Sequence, residues 1–217
     1  MIGRCCVLGI GLLFASGAVS PADEPAWEVL FDGTNLDHWQ VVGKDDASWK
    51  IDHGELQPRA AGGWLSTKAT YTDFELELQF NLPPGGNSGV FLRAPHEGRI
   101  SRTGMEIQLL DDHAEKYRDL KPWQLCGSLY HVASATPGAA GKAGQWQTMH
   151  VRVVGRQLSV RLNGHEVVST RLDQYPQLSV EHPGLKRSSG YLGLQNYGGS
   201  PVRFRNIRVR RLMPASR

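Results

Sequence analysis

DFELELQF, residues 73–80, alternates without a break: Phe74, Leu76, Leu78 and Phe80 fall on one face of an extended chain, Glu75, Glu77 and Gln79 on the other. A period of two held this long marks a half-buried β-strand, and its acidic face reads most simply as facing solvent. The same grammar recurs on both sides. Before it lie WEVLF (27–31), which ends at Asp32-Gly33, then SWKI (48–51), ELQ (55–57) and GWLST (63–67). After it come SGVFLRA (88–94), GMEIQLL (104–110), LCGSLYHV (125–132), QWQTMHVRVVG (145–155), QLSVRL (157–162), HEVVST (165–170), SGYLGLQNYG (189–198) and VRFRNIRVRRL (202–212). Asn163-Gly164 between two such runs predicts a type I′ hairpin. Asp111 to Gln124, charged and aromatic with no strand period, is the longest candidate for a loop or short helix, of the sort that frames a binding site. A Gly/Ala/Pro-rich loop (Ala135 to Gly144) and a loop with Pro176 and Pro183 separate later strands. Many short strands with no helices between them exclude a parallel α/β fold and predict an all-β sandwich of jelly-roll type.

At the N-terminus, Arg4 precedes an apolar run from Cys5 to Val19 and small residues up to Ala22. That pattern predicts a signal peptide over residues 1–22, export to the periplasm or exterior, and one domain over 26–213. The run is too short and glycine-rich for a membrane span, so no stable membrane insertion is expected once the leader is removed. Cys126 would then be the only cysteine, unable to form an intramolecular disulfide, and its place at a strand start suggests burial rather than nucleophilic work. A formal charge of +3 says little about partners. The basic C-terminal run (Arg203, Arg205, Arg208, Arg210, Arg211) alternates with other residues as a solvated or edge face would, and no nucleic-acid-binding motif accompanies it.

No P-loop, dinucleotide fingerprint, HExxH or GxSxG is present. Chemistry must therefore come from polar residues set on strands, and Gly85–Asp112 holds the densest set. Glu106 and Gln108 oppose Ile107 and Leu109, while Arg93 and Phe91 oppose Val90 and Leu92. Glu106 could act as base, acid or ligand, or be a solvated strand residue. Arg93 could bind a substrate oxygen or developing oxyanion, or pair with Glu106. Asp111, Asp112 and His113 could hold a hard cation or simply end the strand, since their spacing specifies no metal. Tyr130 shares a polar face with Ser128, which turns His131 the other way into a structural role. Gln195, opposite Leu192 and Leu194, is a further polar-face candidate. Of the tryptophans, Trp123, in the irregular loop, is best placed to stack on a sugar.

The ordered motifs LFDGTNLDHW (30–39), WKIDHGEL (49–56), GGWLSTKATYTDFELELQF (62–80), GGNSGVFLR (85–93), GMEIQLLDD (104–112), GSLY (127–130), LNG (162–164) and LGLQNYGGSPVRFRNIRVRRL (192–212) resemble the 3-keto-disaccharide hydrolase family. These are also described as 3-keto-glucoside 1,2-lyase/3-keto-2-hydroxy-glucal hydratase domains. The resemblance implies a concanavalin A-like jelly roll whose concave face carries Asn87, Arg93, Glu106, Gln108, Tyr130 and Gln195. Two positions depart from the family pattern: Gln147, where an asparagine is usual, and Tyr197, where a histidine is usual.

The implied reaction is cleavage of a glycoside oxidised to a ketone at carbon 3, by β-elimination and then hydration, for a net hydrolysis. In it Glu106 would be base or metal ligand, Arg93 would stabilise the enolate and Tyr130 would act as acid. Asn87, Gln108 and Gln195 would orient hydroxyls of the carbohydrate substrate. A divalent metal ion could polarise the ketone, with ligands unassigned. An amide at Gln108, two residues beyond Glu106, weighs against a two-carboxylate glycosidase. The competing reading is a non-catalytic, lectin-like glycan-binding module, because sandwich folds host both.

Overall fold

The DFELELQF alternation becomes β6 (Phe74–Asn81), and its apolar face lies at the centre of the core. In this computed structural model residues 25–43, 48–59, 62–198 and 200–213 are described. The leader expected over residues 1–22, with Cys5 and Cys6, lies outside them. The other strands are β1 (Glu28–Phe31), β2 (Trp39–Val42), β3 (Trp49–Asp52), β4 (Glu55–Pro58), β5 (Trp64–Tyr71), β7 (Asn87–Ala94), β8 (Met105–Leu110), β9 (Trp146–Val154), β10 (Gln157–Leu162), β11 (His165–Arg171), β12 (Gly190–Gln195) and β13 (Arg203–Arg211). They form two antiparallel sheets. One runs β11-β10-β9-β6-β13-β4-β3 with β1 beside β13, the other β2-β5-β12-β7-β8. This is the jelly-roll sandwich expected from the strand pattern.

The core fills the space between the sheets. Leu76 and Leu78 of β6, Val151 and Val153 of β9, Val90 and Leu92 of β7, and Ile107 and Leu109 of β8 are all buried there. Burying aliphatic side chains in this way contributes roughly 1.5–3 kcal/mol each before entropy is counted. Asn163 and Gly164 both take positive φ (51° and 84°), as a type I′ turn between β10 and β11 requires. Among the described residues no helix is long and apolar enough to cross a membrane.

Three expectations change. β13 is not an edge strand: it lies between β6 and β4, with β1 also pairing to it. Its arginines are not simply solvated, because they ion-pair across the sheet. Arg208 meets Glu77, Arg210 meets Glu75, and Arg203 meets Glu55, while Arg205 donates to Gln79. Trp27 and Trp146 lie beneath these guanidinium groups. The acidic face of β6 is thus the matching half of a charge ladder. LCGSLYHV, for its part, pairs only through the isolated bridges Ile107↔Leu129 and Leu129↔Ala133. Cys126 is buried as expected, and that burial pushes its thiol up to about 12, which leaves it no nucleophile at neutral pH.

Candidate active site

A cleft of about 640 Å³ opens on the outer face of the five-stranded sheet, away from the core. Its floor follows from strand alternation. Residues 90, 92, 107 and 109 point into the core, so Asn87 and Phe91 of β7 and Glu106 and Gln108 of β8 point the other way, into the cleft. β7 and β8 pair with Gly89 opposite Gln108 and Phe91 opposite Glu106. On the far side of β7, β12 brings in Gln195. The chain after β8 returns beside it: Gln108 N–H donates to Ser128 O (2.9 Å) and Tyr130 N–H to Glu106 O (2.9 Å), which sets Tyr130 at the cleft edge.

Glu106 is the centre of this arrangement. Its carboxyl lies over the backbone of β7, where a Cβ on Gly89 would come within 2.8 Å of both Cγ and Cδ. The missing side chain lets Gln195 of β12 and Glu106 of β8 meet across β7, and Gln195 hydrogen-bonds the carboxyl. Only 2 % of Glu106 is exposed. Burial pushes its pKa up to about 8, against the opposing pull of Arg99 and of the Gln195 hydrogen bond. Tyr130 is pushed up too, first by burial and then by the charge of Glu106. A carboxyl held near neutrality in a cleft is suited to exchanging protons.

Arg93 does not join this site. Between Gly193↔Phe91 and Tyr191↔Ala94 the β7–β12 register slips by a residue, and Arg93 takes φ 45°. That bulge breaks the alternation and turns the side chain away from the cleft. Arg93 is 1 % exposed. It donates to Thr72 O (2.6 and 2.9 Å), Gly155 O (2.9 Å) and Arg187 O (3.1 Å), and pairs with Asp73 at 3.2 Å. Its expected work on the enolate is therefore corrected to a structural clamp.

Trp123 is also displaced from its expected place. It does not line the cleft but is stacked on His131 (centroids 3.8 Å apart) and edge-on to Tyr130 (5.2 Å). His131 takes φ 64° in a turn rather than a strand, and its ring lies between Trp123 and His182. Asp111 and Asp112 are engaged by backbone: Asp111 accepts from Gly85 N–H (2.8 Å) and Asp112 from Cys126 N–H (2.9 Å). Among the described residues no three His, Cys, Asp or Glu side chains gather as a metal-holding group. The neighbours of Glu106 are amides and a phenol, so the donor set does not fit the metal ion envisaged from the chemistry.

Several cleft residues that sequence reading did not single out come from loops, others from strands. Arg99 caps the short helix α1 (Ile100–Thr103), where its carbonyl accepts from Arg102 and Thr103 N–H. Among the described residues it is the cation that acts on Glu106. Tyr117 and Gln124 come from the 111–124 loop, which does frame the site. Trp64, Phe91 and His96 form an aromatic end. One signal was available: a glycine inside the strand NSGVFLR announces a close approach.

The two departures from the family pattern separate. Gln147 is remote from the cleft and staples loops, its Oε1 accepting from Gly141 N–H (2.7 Å) and Asn163 Nδ2 (3.1 Å). Tyr197 lines the cleft rim and is 56 % exposed.

Residues 26–210 match the 3-keto-alpha-glucoside-1,2-lyase-like domain. The chain belongs to that family. It is 26 % identical over 233 residues to the 3-keto-disaccharide hydrolase of Bacteroides thetaiotaomicron, an alignment covering 88 % of this chain and 80 % of the relative. A Parabacteroides distasonis protein assigned provisionally as a glycosyl hydrolase superposes with a TM-score of 0.77 at 30 % identity, covering 86 % of this chain and 100 % of that one. The carbohydrate-binding module CBM66 from Bacillus subtilis shares the fold alone, at a TM-score of 0.55 and 14 % identity, over 80 % of this chain and 95 % of the module. Family membership makes this chain a carbohydrate-active enzyme.

Proposed function

We propose that the protein cleaves 3-keto-glycosides or 3-keto-disaccharides by β-elimination followed by hydration, and that it does so as an exported enzyme once the leader over residues 1–22 is removed. One observation carries the reading: a buried carboxyl, raised to about 8, at the centre of a cleft lined by amides and phenols. The name of the Bacteroides relative supplies the substrate class.

The ketone acidifies the hydrogen on carbon 2. The Glu106 carboxylate takes that proton, the C–H electron pair becomes the C1=C2 double bond, and the bond from C1 to the aglycone oxygen breaks. Tyr130 supplies the proton to the departing oxygen, and its phenolate is later reprotonated from solvent. Negative charge builds on the carbon-3 oxygen during the first step, and Arg99 is the cleft cation that can face it. A base with a raised pKa is better matched to a weak carbon acid than an ordinary carboxylate would be. Water then adds at C1 while Glu106 returns its proton to C2. Asn87, Gln108 and Gln195 orient the ring hydroxyls.

A lectin-like face would gain nothing from a desolvated carboxyl, which costs stability when ionised. Incubating the purified protein with a 3-keto glucoside and following aglycone release tests the reading. Release by the native protein and its loss in Glu106→Gln is the expected result. Glycan binding without any release would sink it.

A further inference from the structure

His96 follows β7 by two residues and lines the cleft with Glu106. Its ring is fixed on three sides. It stacks on Tyr191 of β12, with centroids 3.9 Å apart and planes at 15°, and meets the edge of Trp64 from β5. Its Nε2 lies 3.0 Å from Ser66 Oγ. Ser66 is fully buried, and its hydroxyl also contacts Thr67 O at 3.0 Å, as a donor. A hydroxyl carries one hydrogen. With that hydrogen directed to the carbonyl, the hydrogen-bond network assigns the other proton to Nε2, which donates to Ser66. The second nitrogen, Nδ1, is then a bare lone pair, and it has no hydrogen-bond partner among the described residues.

Burial also lowers the pKa of His96 below the usual histidine value, which keeps the ring neutral at neutral pH. Between His96 and Glu106 stands the pair Trp64–Phe91: Phe91 sits opposite Glu106 in the β7–β8 register and packs edge-on against Trp64 at 5.4 Å. The two proton-exchanging groups thus occupy different parts of one cleft rather than a single hydrogen-bonded pair.

We infer that His96, held in its tautomer by Ser66, is the base that activates water in the second half of the reaction, with Ser66 as its positioning residue. This rests on the elimination–hydration reading above. Nδ1 takes a proton from water as the water oxygen bonds to C1. The C1=C2 pair takes the proton of the Glu106 carboxyl at C2. His96 then releases its proton to solvent, from which Tyr130 recovers the one it gave to the aglycone. The elimination itself needs no proton from His96.

The test separates the two halves. With a 3-keto glucoside, aglycone release reports elimination, and the ultraviolet absorbance of the 1,2-unsaturated 3-ketone reports its consumption. The same unsaturated ketone supplied directly reads hydration alone. In His96→Gln, hydration is expected to slow roughly 10²-fold and release by less than about tenfold, so the unsaturated ketone accumulates. Ser66→Ala should show the same selective fall, more weakly. Equal losses in both halves in both variants would mean that His96 only packs, and release without any accumulation would also overturn the inference. A native protein that hydrates the supplied ketone but releases no aglycone would overturn the lyase reading and leave His96 testable on hydration by the same ratio. One that does neither would sink both.

Discussion

The carboxyl of Glu106 occupies the space that a side chain at Gly89 would fill: a methyl group there would stand 2.8 Å from Cδ and nearer still to Oε1. The strand between two polar strands has been left bare at one point, and that gap is where the carboxyl meets Gln195.

Gly89→Ala is accordingly expected to push Glu106 out of register with its partners. Aglycone release should fall roughly 10²-fold, the scale of a misplaced proton-transfer group, while the protein loses about 1–3 kcal/mol from overpacking. Thermal melts and release assays on the same preparation check both. Release at the native rate would show that the carboxyl has no need of this gap.

The raised pKa of Glu106 makes two signed predictions. If the carboxylate is the base, release should increase with pH and level off above about 8. Stability should move the other way. The folded state holds the proton more tightly than the unfolded chain, so the contribution of Glu106 is full at acid pH and declines between the ordinary carboxylate range and about pH 8. Glu106→Gln, which cannot ionise, should be inactive and at pH 8 more stable than the native protein by at least about 1 kcal/mol, the equivalent of a single pKa unit. Denaturant melts at pH 5 and pH 8 measure the difference, and an unchanged gap between the two proteins would contradict it.

Arg93 and Arg99 should respond in opposite ways. Arg93→Met leaves the carbonyls of Thr72, Gly155 and Arg187 without their donor and should cost about 3–5 kcal/mol, with the remaining folded protein still active. Arg99→Met is a change at an exposed position, expected within about 0.5 kcal/mol of native stability, yet it should slow release roughly 10²–10³-fold. Melting curves beside kcat/KM values decide it, and a large activity loss in folded Arg93→Met would restore the role first expected of it.

How far the sequence could be read follows from this pair. Wherever alternation ran unbroken it placed side chains correctly: Glu106, Gln108, Gln195 and the core face of β6 all lie where a period of two puts them. Arg93 failed because a single-residue bulge is invisible to a periodicity count, and the bulge inverts everything beyond it. Trp123 failed because an irregular loop has no phase to read. Arg99 and Tyr117 were missed for the same reason, being delivered to the cleft by backbone turns rather than by strand geometry. The arginines of β13 were legible as one face, but their carboxylate partners lie more than a hundred residues away, and only the fold joins them.

Gln147 and Tyr197 should also part company. Gln147→Ala is expected to cost about 1–3 kcal/mol through the loops it staples, without changing kcat. Tyr197→Ala, at the exposed rim, should leave the melt unchanged and raise KM. Were kcat to fall in Gln147→Ala at full folding, the loop would have to reach the cleft.

The clamp made by Arg93 gathers the β5–β6 turn, the β9–β10 turn and the segment before β12 at one end of the sandwich, away from the cleft. The residues that hold the two sheets together are therefore different from those that touch substrate. Arg99, Tyr117, Gln124 and Tyr197 can drift, one loop at a time, without loosening the scaffold. Such a molecule is free to change which sugar derivative it accepts while remaining folded, so divergence in specificity among its relatives should be concentrated in the 96–103, 111–124 and 195–198 segments and sparse around position 93.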